Sequence, residues 1–350
     1  MKALRQRGPE RPREETSLVR RTRATTIAEV ARHAGVSPAT VSRVMNDRFL
    51  GEPEIADRVR AAARELEYSP NHLARSFALG QTNAIAFLVP DLANPSFQAV
   101  LSGLSKAAGD EGYRVLVADS AEIPEDEPLL AAEIRRRCDA LVLCAPRMAE
   151  DALVRTTETL GPVVLMNRSS PSVTAPTLSV DSRSGFEALA RHLYSLGHRR
   201  LVYVEGPPGV ANEKRLQGLD DFRASVKGVT VERVAGGPGS ESGLDAVEAV
   251  VRSKATAALA FNDLVAVGLV HGLVERGVRV PDDLSVTGFD DIPFARFMSP
   301  SLTTASVPHE VLGALAWSRM RSLIEGTTPE HDVVFQPRLE VRRSTAAPRG

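Results

Sequence analysis

Apolar residues recur with two different periods along the chain, and the change of period divides it into two parts. Between residues 25 and 70, apolar positions repeat at helical spacing, as at Ile27, Val30 and Ala34. From residue 83 onward, continuous apolar runs of strand length alternate with stretches of helical periodicity. Such runs are typical of parallel strands that helices cover on both faces. The pattern therefore predicts an all-α domain followed by a doubly wound α/β body.

Local signals place the helices of the first part. Thr26 and Glu29 form a capping box that predicts a helix start, and Gly35 provides the backbone freedom for a tight turn. The dipeptide Ser37-Pro38 predicts the start of a second helix, and a third helix is expected to begin near Pro53. Two short helices joined by a glycine-containing turn and braced by a third are typical of a helix-turn-helix domain.

The outer face of the second helix indicates DNA binding. It carries small or hydrogen-bonding residues and one arginine, namely Ala39, Thr40, Ser42 and Arg43. Small residues permit close approach to a major groove, and an arginine can donate two hydrogen bonds to a guanine. From these residues alone, a generic three-helix bundle with a polar face remains the alternative.

The chain contains two long segments that carry a family resemblance, TTIAEVARHAGVSPATVSRVMN and, further on, VRAAARELEYSPNHLARSFALGQTNAIAFLVPDLANPSF. In order and spacing they resemble the lactose-repressor (LacI) family of bacterial transcription regulators, and the resemblance extends from Thr25 to about Ser344. It implies a periplasmic-binding-protein-like body of two parallel-sheet lobes after the DNA-binding domain. It also implies a homodimeric repressor of palindromic operator DNA, with a small-molecule effector, a sugar or sugar derivative, bound between the lobes.

The segment Asn71–Gly80 joins the two parts and is too short to hold a helix alone in water. The resemblance implies that it folds on operator DNA, pairs with its dimer mate and inserts a leucine between bases in the minor groove. Phe77 stands at that position here, and phenylalanine also serves as a wedge between bases. A plain linker remains the alternative.

Ten residues are expected to contact DNA on the basis of the helix-turn-helix pattern and the resemblance: Thr26, Ser37, Ala39, Thr40, Ser42, Arg43, Asn46, Asn71, Arg75 and Phe77. Charge supports a polyanion partner at this end, because residues 1–82 contain fifteen Lys or Arg and ten Asp or Glu, whereas the remainder contains 28 and 34. Residues 1–24 lack apolar periodicity and are interpreted as a disordered basic tail. That tail either holds DNA phosphates or is a start-site artefact.

Polar residues follow the predicted strands of the body at their carboxyl ends: Asp91, Asn94, Ser96 and Phe97, then Asn167 and Arg168, Asn262 and Asp263, and Asp290 and Asp291. Open α/β sheets bind ligands beyond these strand ends, and two facing lobes can close over a small polar molecule. Each single polar residue is alternatively a helix cap or a turn former.

The resemblance assigns effector contact to six positions, Asn94, Phe97, Asn167, Arg215, Asn262 and Asp290. Arg215 and Asp290 match most securely, because they lie in the patterned segments R-x-x-G and G-[FY]-D. Pro238 stands where many sugar-binding and purine-binding relatives place an aromatic ring, so we do not expect ring stacking from that side.

Composition and motifs argue against other classes of protein. Charged residues make up 25% of the chain, as in an ordinary globular protein, and no apolar run approaches the ~20 residues that cross a bilayer. The N-terminus has no apolar signal region, which favours a cytoplasmic, nucleoid-associated protein. Cys138 and Cys144 are expected to be reduced core residues. The seven histidines lack metal-ligand spacing and no nucleotide-binding or nucleophile motif follows a strand, so we expect no enzyme, no metal and no cofactor.

The predicted domain organisation is a tail (1–24), a helix-turn-helix domain (25–70), a hinge segment (71–82), an effector-binding and dimerisation body (83–345) and a short tail (346–350). Lobe 1 is expected at about 83–180 and 308–327, and lobe 2 at about 181–305 and 330–344. A solute-binding protein with the same two-lobed body is the alternative function. The absence of an export signal and the presence of residues 25–80 argue against it, and a sugar-processing enzyme would need an acid/base pair that the sequence lacks.

Overall fold

The computed structural model describes residues 25–45, 48–68, 81–330 and 332–349. The chain divides into two compact units, residues 1–80 and 81–350. The predicted N-terminal tail, Asn46 and residues 71–80 of the hinge segment lie outside the described residues. Among the helices that are described, none combines the length and the apolar character needed to span a bilayer.

In the part of the first unit that the structure describes, the chain forms three helices, α1 (Ile27–Ala34), α2 (Pro38–Met45) and α3 (Pro53–Glu65). Their shared core is small and aliphatic, and it consists of Val30, Ala31, Ala34, Val41, Val44, Ala56, Val59, Ala62 and Ala63. The Arg58 guanidinium donates to the Ala34 carbonyl at 3.1 Å, which fixes α3 against the end of α1. The predicted helix starts at Thr26, Ser37-Pro38 and Pro53 are confirmed.

The second unit, called the body below, consists of two lobes that each contain a six-stranded sheet. In chain order, its elements are β1 (Ala84–Val89), α4 (Pro95–Asp110), β2 (Arg114–Asp119), α5 (Glu127–Arg135), β3 (Ala140–Cys144), α6 (Glu150–Thr159), β4 (Val163–Met166), β5 (Thr177–Val180), α7 (Ser182–Ser195), β6 (Arg200–Val204), α8 (Val210–Ser225), β7 (Thr230–Val234), α9 (Ser240–Asp245), α10 (Val247–Arg252), β8 (Ala257–Ala260), α11 (Asp263–Glu275), β9 (Ser285–Asp290), a 3-10 turn (Pro293–Arg296), β10 (Thr303–Ser306), α12 (His309–Ile324), β11 (Val333–Phe335) and β12 (Arg338–Glu340).

The strand order is β11-β5-β4-β3-β1-β2 in lobe 1 and β12-β10-β9-β8-β6-β7 in lobe 2. Every pairing is parallel except that of β10 with β12. The central strands β1, β3, β4 and β8 are buried along their whole length, as expected for sheets covered on both faces. The predicted doubly wound, two-lobed architecture is therefore confirmed.

One part of the predicted lobe division is wrong. Residues 330–344 were expected in lobe 2, but β11 pairs in parallel with β5 of lobe 1, with Val333 opposite Leu178. Only β12 joins the sheet of lobe 2, opposite β10. The reason is that the two strands have three residues each, and so short a strand has no periodicity that would assign it to one sheet.

Glycines allow close crossings between helices of the body. A Cβ on Gly103 of α4 would lie 2.0 Å from the Glu310 carbonyl oxygen of α12, and a Cβ on Gly313 of α12 would lie 2.0 Å from the Val100 carbonyl oxygen of α4. In lobe 2, Gly268 of α11 packs in the same way against α9. The sequence requirement at these crossings is the absence of a side chain.

The C-terminal residues are attached to lobe 2 rather than forming a simple tail. The His198 ring lies 2.9 Å from the Ala346 carbonyl oxygen, and the Ala346 amide donates to the Ser285 hydroxyl at 3.1 Å. Arg349 forms ion pairs with Asp282 and Asp283 at 2.9 and 3.4 Å.

Candidate functional site

The first candidate site is the outer face of helix α2. The turn before it contains Gly35, whose φ of +66° places it in the left-handed region. The Ser37 hydroxyl accepts a hydrogen bond from the Thr40 amide at 3.1 Å and lies 2.9 Å from the Thr40 hydroxyl. These contacts fix the start of α2 and therefore its direction relative to α1.

Burial separates the two faces of α2. Val41 and Val44 are buried in the three-helix core, whereas Ala39 and Arg43 are exposed and Thr40 and Ser42 are partly exposed. The exposed face thus presents a methyl group, hydroxyls and a guanidinium, which is the combination that can enter a major groove.

The other predicted DNA contacts divide into two groups. The Thr26 amide donates to a Glu29 carboxylate oxygen at 2.7 Å, and the Thr26 hydroxyl accepts from the Glu29 amide at 3.3 Å, so Thr26 caps α1 in the predicted capping box. Ser37 likewise caps α2. The remaining four, Asn46, Asn71, Arg75 and Phe77, lie outside the described residues.

The second candidate site is a cleft in the body, between the two lobes at the carboxyl ends of their strands. It encloses about 790 Å³ of empty space. Residues from both lobes line it, and they include all six positions that were expected to contact an effector: Asn94, Phe97, Asn167, Arg215, Asn262 and Asp290.

Lobe 1 contributes the residues after β1 and β4. The Asn94 side chain accepts from the Ser96 amide at 2.9 Å and so caps helix α4, while Phe97 packs into the core with 9% of its surface exposed. Asn167 adopts a φ of +54°, and its side-chain oxygen is buried without a hydrogen-bond partner among the described residues. Asn94 therefore has a structural role, whereas the Asn167 oxygen still needs a donor.

Arg215 of lobe 2 is buried with 7% of its surface exposed. Its guanidinium carbon lies 4.0 Å from the ring centroid of Phe261 and 4.8 Å from that of Phe289. It donates to the Ala211 carbonyl at 3.1 Å, but its Nε finds no acceptor in the described part of the chain. Burial lowers the pKa of this guanidinium.

Asn262 and Asp290 complete the predicted set. Asn262 caps α11 by accepting from the Val265 amide at 2.9 Å, and it donates to the Pro238 carbonyl at 2.8 Å. Asp290 lies at the end of β9 with a φ of +111°, and burial raises the pKa of its carboxyl group. The Arg215 guanidinium opposes that rise, as does His309 when it is protonated.

The lining also includes residues outside the six predicted positions, among them the polar residues Ser96, Arg147, Lys214 and His309. The His309 Nε2 lies 3.8 Å from an Asp290 carboxylate oxygen, and within the described chain neither ring nitrogen has a hydrogen-bond partner. Burial lowers the pKa of His309, which keeps the imidazole neutral at neutral pH. Sequence signals existed for all four, because Ser96 and Arg147 follow strands, Lys214 precedes Arg215 and His309 starts the helix after β10.

Three of the strand-end polar residues have other roles. Asp263 is fully buried, where it accepts from the Thr304 hydroxyl at 2.6 Å and the Ile292 amide at 2.8 Å. Asp291 points away from Asp290 and pairs with Arg342 at 2.5 Å. Arg168 donates to two carbonyls and pairs with Glu150 beside the cleft.

The cleft offers both kinds of hydrogen-bonding group to a ligand. The Asn167 oxygen and the Asp290 carboxylate accept, Arg215 donates, and the Ser96 hydroxyl and the His309 ring can do either. A small molecule with several hydroxyl groups satisfies such a mixture. Within the described residues, no cluster of three or more His, Cys, Asp or Glu side chains could hold a metal ion.

The fold and the two sites define a helix-turn-helix protein with a two-lobed ligand-binding body. Comparison with known proteins agrees with both parts. Residues 26–71 match the bacterial regulatory proteins of the lacI family, and residues 190–345 match the periplasmic binding protein-like domain.

Relatives cover almost the whole chain. The transcriptional regulator GalR of Escherichia coli K12 is 32% identical over 330 residues, which are 92% of this chain and 96% of GalR. The chain therefore belongs to the lacI family and is a DNA-binding transcriptional regulator. The lac repressor dimer bound to operator and the anti-inducer ONPF is similar in structure, with a TM-score of 0.82, 25% identity and coverage of 93% of this chain and 100% of that chain. A LacI-family regulator from Enterococcus faecium with bound ribose matches with a TM-score of 0.67, 26% identity and coverage of 75% and 99%.

Proposed function

We propose that this regulator is a repressor whose affinity for operator DNA is controlled by a small polar effector, a sugar or a sugar derivative, bound in the cleft of the body. The observation that carries the proposal is the convergence of all six predicted effector positions on one cleft. Helix-turn-helix residues that precede such a cleft couple DNA recognition with ligand recognition in one chain.

DNA recognition is assigned to the first unit. Ala39, Thr40 and Arg43 on the outer face of α2 are proposed to contact base edges in the major groove, with Ser42 beside them. Thr26 and Ser37 are proposed to contact phosphate while they cap their helices. The assignments of Asn46, Asn71, Arg75 and Phe77 rest on the sequence alone, as does the proposed hinge segment 71–82.

Effector recognition is assigned to the six cleft residues. Arg215 and Asp290 are proposed to bind hydroxyl groups from lobe 2, because the guanidinium can donate and the carboxylate can accept at the same ligand. Asn167 supplies an acceptor from lobe 1. A sugar in this cleft is consistent with the ribose-bound relative from Enterococcus faecium.

A homodimer that binds palindromic DNA is the proposed assembly. The similar lac repressor is a dimer on its operator, and a two-fold dimer matches a palindrome. The body also exposes large apolar side chains on lobe 2, including Val251, Val274, Phe294 and Phe297. Phe297 is 84% exposed, and a partner subunit would remove such a surface from water.

We propose no catalytic activity and a cytoplasmic, nucleoid-associated location, because a regulator of this kind acts on the chromosome. The proposed domain division is a tail at 1–24, a DNA-reading domain at 25–70, the hinge segment at 71–82 and the body at 83–345, to which the C-terminal residues are attached through Ala346 and Arg349. A solute-binding protein with the same body is disfavoured because residues 26–71 match a DNA-binding family.

The test is enrichment of duplexes from a random-sequence library with the full-length protein, followed by binding titrations at several salt concentrations. We expect a palindromic consensus and an affinity that falls steeply with salt, because phosphate contacts release counterions. A second titration adds candidate sugars and measures the change of operator affinity. An enriched set without a palindrome, or an affinity that barely depends on salt, would contradict the proposal.

A further inference from the structure

Three cationic side chains face the cleft, and they come from both lobes. Arg147 belongs to lobe 1, in the loop after β3, while Lys214 and Arg215 are consecutive residues of helix α8 in lobe 2. Two carboxylates of opposite charge, Glu122 and Asp290, line the same cleft. With His309 neutral, the described lining carries a surplus of positive charge.

Within the described residues, the lining carboxylates act on Arg147 and Arg215, and neither forms an ion pair with Lys214. Arg147 donates through Nε and one terminal nitrogen to Glu122 at 2.9 and 3.1 Å, which occupies that carboxylate. Lys214 instead donates to the neutral Ser169 hydroxyl of lobe 1 at 3.1 Å. The Lys214 charge also helps to lower the pKa of Asp181, a carboxyl group outside the lining that caps α7 by accepting from the Ser184 amide at 3.0 Å.

Arg215 is the most buried of the three cations. It is more than nine-tenths buried, its Nε has no acceptor among described residues, and its contacts are a carbonyl and aromatic rings rather than a carboxylate hydrogen bond. Burial is the main cause that lowers its pKa, interaction with Tyr203 and Asp290 raises it, and repulsion from Arg147 in the opposite lobe is a smaller cause that lowers it. An anion placed between the lobes would relieve this repulsion.

A second hollow adjoins the cleft. Its space, which includes its opening to solvent, is about 370 Å³, and it shares Arg147, Asn167 and Val210 with the lining of the cleft. The start of helix α8 faces this hollow, and Gly209 before it provides no side chain to cap the first amides. Arg168 also lines this hollow, and its terminal nitrogens donate to Pro146, Met148 and Glu150.

We propose that the effector of this regulator is an acidic polyol, a sugar that carries a phosphate or carboxylate group, and that Lys214 and Arg147 are the residues that select for the acidic group. This inference rests on the proposed effector function of the cleft and adds the charge class of the ligand. Arg215 and Asp290 bind the hydroxyl groups, while the oxyanion lies between Lys214 and Arg147 and draws the two lobes together.

The test compares matched ligands on the full-length protein by calorimetric titration and thermal unfolding. The ligands are ribose and ribose 5-phosphate, glucose, glucose 6-phosphate and gluconate, and inorganic phosphate as the isolated anion. At least one acidic sugar is expected to bind tenfold or more tightly than its neutral parent. The Lys214→Gln variant is expected to lose that tenfold preference, and Lys214→Arg to retain most of it.

Lys106→Gln is the matched control, because Lys106 is an exposed lysine of helix α4 that does not line the cleft. It removes the same charge and should leave the preference unchanged. Sugar phosphates and gluconate distinguish the two sources of the oxyanion, and a preference for either supports the inference. Three results would overturn the inference. They are neutral sugars that bind as tightly as the acidic ones, a failure of every acidic sugar to bind, and a preference for acidic sugars that Lys214→Gln leaves intact.

The outcomes also separate this inference from the proposed function. If a neutral sugar alone changes operator affinity, effector control stands and the acidic ligand class is wrong. If acidic sugars bind with dependence on Lys214 but leave operator affinity unchanged, the ligand class stands and effector control is wrong.

Discussion

Replacing Arg215 with methionine should leave the fold intact, or even stabilise it, while it removes the ligand response. Methionine has a similar length and packs well against the rings of Phe261 and Phe289 that now contact the guanidinium. The ligand response is lost because methionine cannot donate hydrogen bonds into the cleft. A charged residue that is buried before its ligand binds is expected to lower the stability of the ligand-free protein.

The magnitude follows from the contacts that the variant loses and gains. Relief of the buried, partnerless Nε contributes about 1–3 kcal/mol, whereas loss of desolvated cation–π contacts costs about 2 kcal/mol. Contacts between the methionine sulfur and the aromatic rings restore about 0.3–1.5 kcal/mol of stability. We therefore expect the free energy of unfolding of Arg215→Met to change by between about −1 and +2.5 kcal/mol, so that its melting temperature rises by at most roughly 10 °C.

The matched control is Arg168→Met, because Arg168 is similarly buried and its Nε likewise has no acceptor among the described residues, whereas its terminal nitrogens have three partners. It donates to the carbonyls of Pro146 and Met148 at 3.1 and 2.5 Å and pairs with Glu150 at 3.2 Å. Removing it leaves buried acceptors without donors, so we expect a loss of about 3 kcal/mol. Thermal unfolding of both variants without ligand is the assay. If Arg215→Met loses as much stability as Arg168→Met, the guanidinium is a structural element and the reasoning is refuted.

Three other predictions concern separate parts of the molecule. Arg43→Ala should weaken binding to the enriched operator by about 1–3 kcal/mol at an unchanged melting temperature, and an equal loss on random duplexes would mean that Arg43 contacts only phosphate. Gly103→Ala should destabilise the body by about 1–3 kcal/mol in urea unfolding, because its Cβ would lie 2.0 Å from the Glu310 carbonyl, and unchanged stability would refute the close crossing. Burial holds the pKa of His309 below its unfolded value of 6.5, so below that pH the unfolded chain binds a proton that the folded chain does not, and stability falls as the pH is lowered. His309→Gln should reduce the loss of stability between about pH 7 and 5.5, and an equal loss in the variant would assign it to other groups.

The six cleft residues were predicted from the family resemblance, and sheet topology gives a physical reason for those that lie at strand ends. All parallel strands of one sheet end on the same side, so polar residues after successive strands must meet there. Asn94, Asn167 and Asp290 follow β1, β4 and β9 and line the same cleft although they are far apart in the chain. Helix starts were predictable for an equally local reason, since the capping hydroxyls of Thr26 and Ser37 act within three residues.

The remainder depends on contacts that no local pattern encodes. Arg147 is oriented by Glu122, which lies 25 residues earlier in another loop. His309 lines the cleft only because helix α12 starts there and crosses α4 through two glycines. β11 pairs with β5 and so belongs to lobe 1. This pairing depends on the tertiary fold, because the polarity pattern of three residues does not specify a partner strand.

The connections between the lobes explain how a ligand in this cleft can act on the whole body. The chain passes from one lobe to the other after β5, after β10 and between β11 and β12. The first two passages line the cleft at Ser182 and His309, and the third is tied to the first because Gln336 donates to the Asp181 carboxylate at 3.2 Å. Any change in the angle between the lobes must rotate the backbone at these passages. A ligand that contacts Ser182 or His309 therefore has different contacts in the open and closed forms, which is the condition for its binding to shift the balance between them.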